Sequence, residues 1–509
     1  MNAIGQSSTA LHVVSALFHD LNEERIRYCH WKSTHRLADS LAGKTDLDLL
    51  VDREDSQRFY ELLHRHDFKR FISHPHRQFP AIEDYLGFDP STGRLIHLHI
   101  HYRLVLGEQF VKNYYLPLEQ PFLEHTYLRR GVPIPVPELE LIVLVLRALL
   151  KYRDRDVLRD MLRLGRSSGI PRAILGECLS LLHQTNPTQI AHRLEQDASF
   201  ISSDLIFHFL DTIQRTPRAG WTLYRLRSRV RRDLAPYQRY SRRRARAIYY
   251  RVMLSRQWPL DRILARLLRV PDKRKTPASG GMTIAFIGAD GAGKSTIVQQ
   301  IVTWLSWRMV VRSYYMGSNQ PSRRTRALKQ LTGLAQLVSG GCRRVFGPQS
   351  RITRLADRPR RFLEQLRYLA DGRDRYRRYL HGRRSAAQGA IVIYDRYPLD
   401  SVRLDSRIVD GPRIAATGNG HLGAVGHGLA QAEAALYRNI LPPEHLFALH
   451  VSPDVSQQRK PTHQRAAIEA KSAAIERIAQ TDGDLTHIDA EQPLDEVILR
   501  VKAALWKLL

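Results

Sequence analysis

The chain has 509 residues, is 43% hydrophobic and carries 79 Lys and Arg against 50 Asp and Glu, a formal net charge of +29. That length supports two to four domains with sizeable cores, and the composition is that of a soluble globular protein. Its longest apolar run, "LIVLVL" at 141–146, excludes a bilayer span, and Cys29, Cys178 and Cys342 stand too far apart for a redox or metal motif, which suits a reducing compartment.

In chain order, the N-terminus lacks a basic leader, so a signal peptide is not expected and the reading is cytoplasmic. Leu11, Val14, Leu17, Phe18 and Leu21 recur at helical spacing and predict an opening helix. "DLDLLV" at 46–51 and "LIHLHIHY" at 95–102 read as strands. Asp46 and Asp48 are two apart on the first of these and therefore share a face. A carboxylate pair so placed suits divalent ions of the kind that phosphoryl and nucleotidyl transfer require. With Gly43 just ahead, "YCHWKS…GKTDLDLLVDR" resembles the polymerase-β-type nucleotidyltransferase superfamily. The resemblance implies an α+β nucleotidyltransferase-like domain over 1–135, with metal at Asp46 and Asp48. Two features depart from it: Gly43-Lys44 replaces the usual Gly-Ser, and the strand that should carry a third carboxylate instead aligns His97, His99 and His101. That row either completes a metal site or forms a solvated strand face, the commoner outcome.

Residues 137–276 read as helical throughout, apolar at first and then basic. From Arg225 to Lys275 there are eighteen Lys or Arg against three Asp, about half the net excess. Leu260, Ile263, Leu264, Leu267 and Leu268 share one helical face, with Arg262, Arg266 and Arg269 turned away. Three readings fit the stretch 222–276: a docked connector, a peripheral contact with an anionic membrane at the inner surface, and, behind these, a nucleic-acid contact. "PDKRKTPASGG" closes it as a linker.

Then comes "TIAFIGADGAGKSTIVQQIV" at 283–302, a strand, a glycine loop and a helix in succession. The loop fits G-x-x-x-x-G-K-[ST] at Gly288, Gly293, Lys294 and Ser295. Glycines let backbone N–H groups turn inward on phosphate oxygens, and the helix N-terminus adds partial positive charge. The expected ligands are ATP, held along Gly288, Asp290, Gly291, Gly293, Lys294, Ser295 and Thr296, and Mg²⁺ at Ser295. Further on, "GAIVIYDRYPLDS" delivers Asp395 and Arg396 to the C-terminal end of a buried strand, where open α/β sheets place ligands. Asp395 would hold Mg²⁺ through water, and Arg396 would grip an acceptor phosphate.

With these motifs in place, residues 282–509 resemble the thymidylate kinase family. The likeness rests on "GADGAGKST", "DRYRRY", "DRY" and "LFALHVSPDVSQQRK…HIDAEQPLDEV". It implies a P-loop doubly wound parallel sheet over 280–509. It also implies Asp290 facing the acceptor or acting as base, Arg375 and Tyr397 contacting the acceptor, and Arg459 and Lys460 in a lid over ATP. Here too the sequence departs: where the family carries an Arg-Glu-Pro-Gly turn this chain reads "YYMGSNQPSRRTR", and a long basic insertion follows to about Arg361. The expected function is an ATP-dependent phosphotransferase of nucleoside monophosphate kinase type, with a nucleotide or another phosphate acceptor. Two alternatives stand beside it: a bifunctional kinase and nucleotidyltransferase acting on a glycan or lipid-linked intermediate, and a nucleotide-dependent nucleic-acid-binding or regulatory protein.

Overall fold

The structure, a computed structural model, describes residues 10–108, 111–162, 169–215, 219–257, 274–399, 403–404, 407–408, 411–417, 423–459 and 485–509, with a few isolated positions between 465 and 475. The chain forms two compact units, Met1–Lys273 and Arg274–Leu509.

The N-terminal unit opens with the expected helix, His12–Glu23, which buries Val14, Leu17, Phe18 and Leu21. It packs on a mixed sheet of β1 (Tyr28–His30), β2 (Leu47–Val51), β3 (Lys69–Ile72), β4 (Ile82–Asp89) and β5 (Arg94–His101), which run in the order β1-β2-β5-β4-β3. Strands β2 and β5 pair in parallel with Asp48 opposite His99, while β4 runs antiparallel to β5 with Asp84 opposite His99. Alternation then sorts the sheet's faces. Leu47, Leu49, Ile96, Leu98 and Ile100 meet the opening helix, and Asp48 and the three histidines take the other side.

The helical region belongs to the same unit. Helix Pro137–Lys151 buries residues all around its circumference, because it threads the middle of a core. That core joins Cys29, Trp31 and Leu50 to Leu205, Phe209, Leu223 and Val230 of later helices. The sequence boundary at 135–137 thus falls inside one hydrophobic core. Residues 258–273, which hold Leu260, Ile263, Leu264, Leu267 and Leu268, lie outside the described residues.

In the C-terminal unit, β6 (Met282–Gly288), β7 (Val311–Tyr315), β8 (Ile391–Asp395), β9 (His445–His450) and β10 (Leu485–Asp489) form a parallel sheet in the order β7-β8-β6-β9-β10. Thr283–Ile287 is buried throughout, as expected of a central parallel strand covered on both faces. Helix Lys294–Leu305 follows β6 and buries Ile297, Val298, Ile301 and Leu305. The basic insertion is helical: Arg323–Phe346 and Arg351–Ala387 pack together, their N-termini capped by Ser322 and Ser350. Because β6 is central, its C-terminal loop emerges between the ends of β8 and β9, where the candidate residues gather.

Candidate functional site

The loop after β6 is built on left-handed glycines. Gly291 has φ +97° and Gly293 φ +78°, and a Cβ at Gly291 would stand 3.0 Å from the Ser456 carbonyl oxygen. Neither position accepts a side chain without strain. Lys294, at the first position of the following helix, is buried with its Nζ 2.9 Å from Gly288 O and 2.7 Å from Ala289 O, so its charge is held against the loop. Ser295 Oγ donates to Asp395 Oδ2 at 2.8 Å, across a sequence gap of 100 residues. Asp395 is 5% exposed, and its Oδ1 has no hydrogen-bond partner among the described residues.

Arg396 follows Asp395 with φ +63°, an uncommon conformation for a residue with a side chain. Its guanidinium comes within 3.4 Å of Asp290 Oδ1 and 5.9 Å of the Tyr315 ring. From the other side Arg459 donates to Ala490 O at 3.1 Å and reaches Gly291 O at 3.5 Å. The structure therefore brings together Asp290, Lys294, Ser295, Asp395, Arg396 and Arg459. Thr296 is exposed on the first turn of the helix. Lys460 lies outside the described residues.

Two residues expected to contact the acceptor are buried among protein partners. Tyr397 is 3% exposed and donates its hydroxyl to Leu441 O at 2.6 Å, packing in the core beside Tyr394. The left-handed backbone at Arg396 breaks the strand's alternation, and Tyr397 beyond it is buried, so it anchors the loop. Arg375 is 2% exposed; it donates to Tyr437 Oη and lies over that ring at 5.7 Å. Other residues escaped the sequence reading. Ser456 donates its hydroxyl to the Asp290 carbonyl, and Asp374 accepts from Ser322 N and Thr325 Oγ1, both at 2.8 Å. Arg378 donates to Tyr315 O at 2.8 Å and Gly317 O at 3.2 Å, fixing the chain that leaves β7. Each acts through a backbone group far away in sequence, and no motif records such a contact.

In the N-terminal unit the histidine row is not a solvated face. His97 and His101 are buried, and Trp31, which packs on His101, lies in the core shared with helix Pro137–Lys151. His97 bridges Asp46 Oδ1 at 2.9 Å and, on the neighbouring strand β4, Asp84 Oδ1 at 3.0 Å. Asp48 meets Lys32 Nζ at 2.7 Å and His99 Nδ1 at 2.8 Å. Burial opposes its ionisation, yet Lys32 and then His99 hold its carboxyl well below the usual range. Burial above all lowers His99 to about 4, and it pushes the Lys112 ammonium down to about 7. The two carboxylates singled out in the sequence thus have separate partners, Asp46 with His97 and Asp48 with Lys32 and His99.

No family model matches the chain. It is similar to two Escherichia coli (strain K12) proteins. The uncharacterized ATP-binding protein YghS is 28% identical over 228 residues, 42% of this chain and 88% of the relative. The uncharacterized ATP-binding protein YghR is 25% identical over 227 residues, 43% of this chain and 85% of the relative. Among solved structures, deoxyadenosine kinase from M. mycoides with bound dATP aligns with a TM-score of 0.27 and 16% identity, over 44% of this chain and 99% of that one.

Proposed function

We propose that the C-terminal unit binds ATP and transfers its terminal phosphoryl group to a nucleotide or another phosphate-bearing acceptor. The observation that carries this reading is the Ser295–Asp395 contact directly beneath the Gly288–Ser295 loop. Two relatives whose names call them ATP-binding support the nucleotide. The loop N–H groups and the helix N-terminus would cradle the phosphates, and Lys294 would neutralise their charge. Ser295 and Asp395, whose buried Oδ1 has no hydrogen-bond partner among the described residues, fit a hard cation, since both offer oxygen. Mg²⁺ bound there would neutralise developing charge on the phosphates. Arg396, pre-set by its strained backbone and paired with Asp290, would orient the acceptor, and Arg459 would close over the nucleotide. In this reading the N-terminal unit is a nucleotidyltransferase-like partner domain, supported by Asp46 just before β2 and Asp48 within it, after the left-handed Gly43.

Calorimetric titration of the full chain with ATP and magnesium tests the nucleotide site. Lys294→Ala should weaken binding roughly tenfold to a hundredfold while the thermal melt stays intact, because it removes a charge-assisted contact of about 1.5–3 kcal/mol. Equal affinity in a folded Lys294→Ala chain would remove the loop from the site.

A further inference from the structure

The polar face of the N-terminal sheet holds an arrangement that the phosphotransferase reading does not use. Asp48 Oδ1 lies 2.8 Å from His99 Nδ1 and 3.9 Å from His101 Nε2, and the two ring nitrogens face each other at 3.3 Å. One oxygen and two nitrogens thus form a small triangle. An ion bound at about 2.0–2.2 Å from each ligand sets ligand separations of roughly 2.9–3.5 Å, and the triangle brackets that range. Two facing imidazole nitrogens share at most one hydrogen bond, whereas a metal ion satisfies both lone pairs and the carboxylate together. The rings are held in place: Trp31 packs edge-on against His101 at 5.0 Å, and His99 meets His101 at 4.4 Å. Lys32 already brings a cation to Asp48 Oδ1, from a side chain 20% exposed whose Nζ also lies 4.7 Å from the Trp31 ring centre.

We propose that Asp48, His99 and His101 bind one divalent transition-metal ion. Two imidazoles and one carboxylate select the zinc and cobalt end of the first row, while magnesium prefers oxygen ligands. This site is distinct from a carboxylate-pair site, because Asp46 is turned to His97. The full chain, stripped with chelator and titrated with Co²⁺, should take up one ion per chain and develop visible d–d absorption that Zn²⁺ displaces. His99→Ala and His101→Gln should each weaken uptake by about tenfold or more. Lys32→Met should strengthen it by removing the competing ammonium, and Asp46→Asn should leave it within a few fold. His99 is partly exposed, so its variant keeps the test open if the His101 variant fails to fold. Absent cobalt bands, uptake unaltered in the folded His99→Ala chain, or equal loss in Asp46→Asn would overturn the assignment.

A separate observation concerns the two helices of the basic insertion. Their seam is polar: Thr325, Thr332 and Ser339 are buried on the first, Thr353 and Asp357 on the second, with Ser339 donating to Asp357. Their outer face is apolar. Leu331, Leu334, Val338 and Val345 recur at helical spacing opposite the seam, joined by Ile352 and Leu355, with exposures from 47% at Ile352 to 75% at Val345. A helix on a water-facing surface has the reverse pattern. Residues 323–363 also carry eleven Lys or Arg and a single acid, Asp357. A second copy would set those eleven cations against eleven more. An anionic lipid surface accepts both the apolar stripe and the charge.

We infer that this helix pair rests on anionic bilayer headgroups with its outer leucines and valines at the acyl boundary. No helix among the described residues is long and apolar enough to cross a membrane, so the contact is interfacial. The full chain should sediment with phosphatidylglycerol vesicles, less so as salt rises, and not with phosphatidylcholine vesicles. Leu334→Asp with Val338→Asp, and separately Arg344→Glu with Arg358→Glu, should each cut partitioning about tenfold or more at unchanged melting temperature. All four side chains are exposed, so folding is not at stake. Failure of the parent chain to bind, or binding unaltered in both variants, overturns the inference. Loss confined to Arg262→Glu, Arg266→Glu and Arg269→Glu would do so too. So would a dimer in solution that the aspartate variant disperses, since a second copy would then cover the face.

Discussion

Asp395 sits at the end of a buried strand with one oxygen bonded to Ser295 and the other without a partner among the described residues. Asp395→Asn preserves an acceptor for Ser295 but removes the charge. ATP turnover should therefore fall about 10- to 100-fold with a melting temperature close to the parent's, and a matched loss of stability would make Asp395 structural. Glu140 offers a different test. It accepts from Thr34 N at 3.1 Å and Thr34 Oγ1 at 2.6 Å, and burial, against those bonds, raises its carboxyl from 4.5 to about 7. Between those values the unfolded chain has released the proton and the folded chain retains it, so stability declines as pH rises from about 4.5 to 7. The span is on the order of 3 kcal/mol, and Glu140→Gln should flatten it in melts taken across that range. At this scale the sequence was most legible where chemistry demands a fixed local pattern, as at Gly288, Lys294 and Ser295. It was least legible for Tyr397 and Arg375, whose burial against Leu441 O and Tyr437 depends on segments about 40 to 60 residues away.

Among the elements, the β6 loop is held between two neighbours, Leu449 at the end of β9 and Ser456 in helix Pro453–Arg459. Gly291→Ala adds a Cβ to a left-handed backbone 3.0 Å from the Ser456 carbonyl, a strain of about 1–2 kcal/mol. The loop would shift to relieve it, so nucleotide affinity should drop while the far-ultraviolet circular dichroism spectrum is retained. Affinity equal to the parent's would show that the loop tolerates the shift or is not the binding element. Strands β2 and β5 were legible from their period-two pattern. The meaning of the β5 histidines was not, because a strand's pattern marks two faces without saying which one later helices cover. Asp84 illustrates the same limit: it joins the cluster through antiparallel register with β5, and register is set by the folded sheet. The basic insertion read as charge alone, and its inverted apolar face emerged only when Thr332 and Ser339 were seen to form the seam.

As a whole molecule the chain is two units, each with its own core and its own cluster of charged groups. The doubly wound sheet was foreseeable from the alternation of strand and helix after residue 280. The core that joins Cys29, Trp31 and Leu50 to later helices as far as Leu234 was not, since helix Pro137–Lys151 is apolar on all sides and gives no hint of its partners. Two separate cores lead to an expectation about linkage. Nucleotide at a hundred times its dissociation constant should stabilise the C-terminal unit by about 2.7 kcal/mol. Hydrogen exchange should then slow across residues 282–305 and stay unchanged across β2 and β5; protection of β2 and β5 instead would place the nucleotide in the other unit. The central claim, phosphoryl transfer from the Gly288–Ser295 loop, is tested most directly by incubating the full chain with γ-labelled ATP and magnesium against pools of nucleotides, phosphosugars and phospholipid headgroups. The account predicts label on one phosphate-bearing acceptor, lost in both Lys294→Ala and Asp395→Asn. Transfer that persists in both folded variants, or bound ATP with no label moved to any pool, would contradict it.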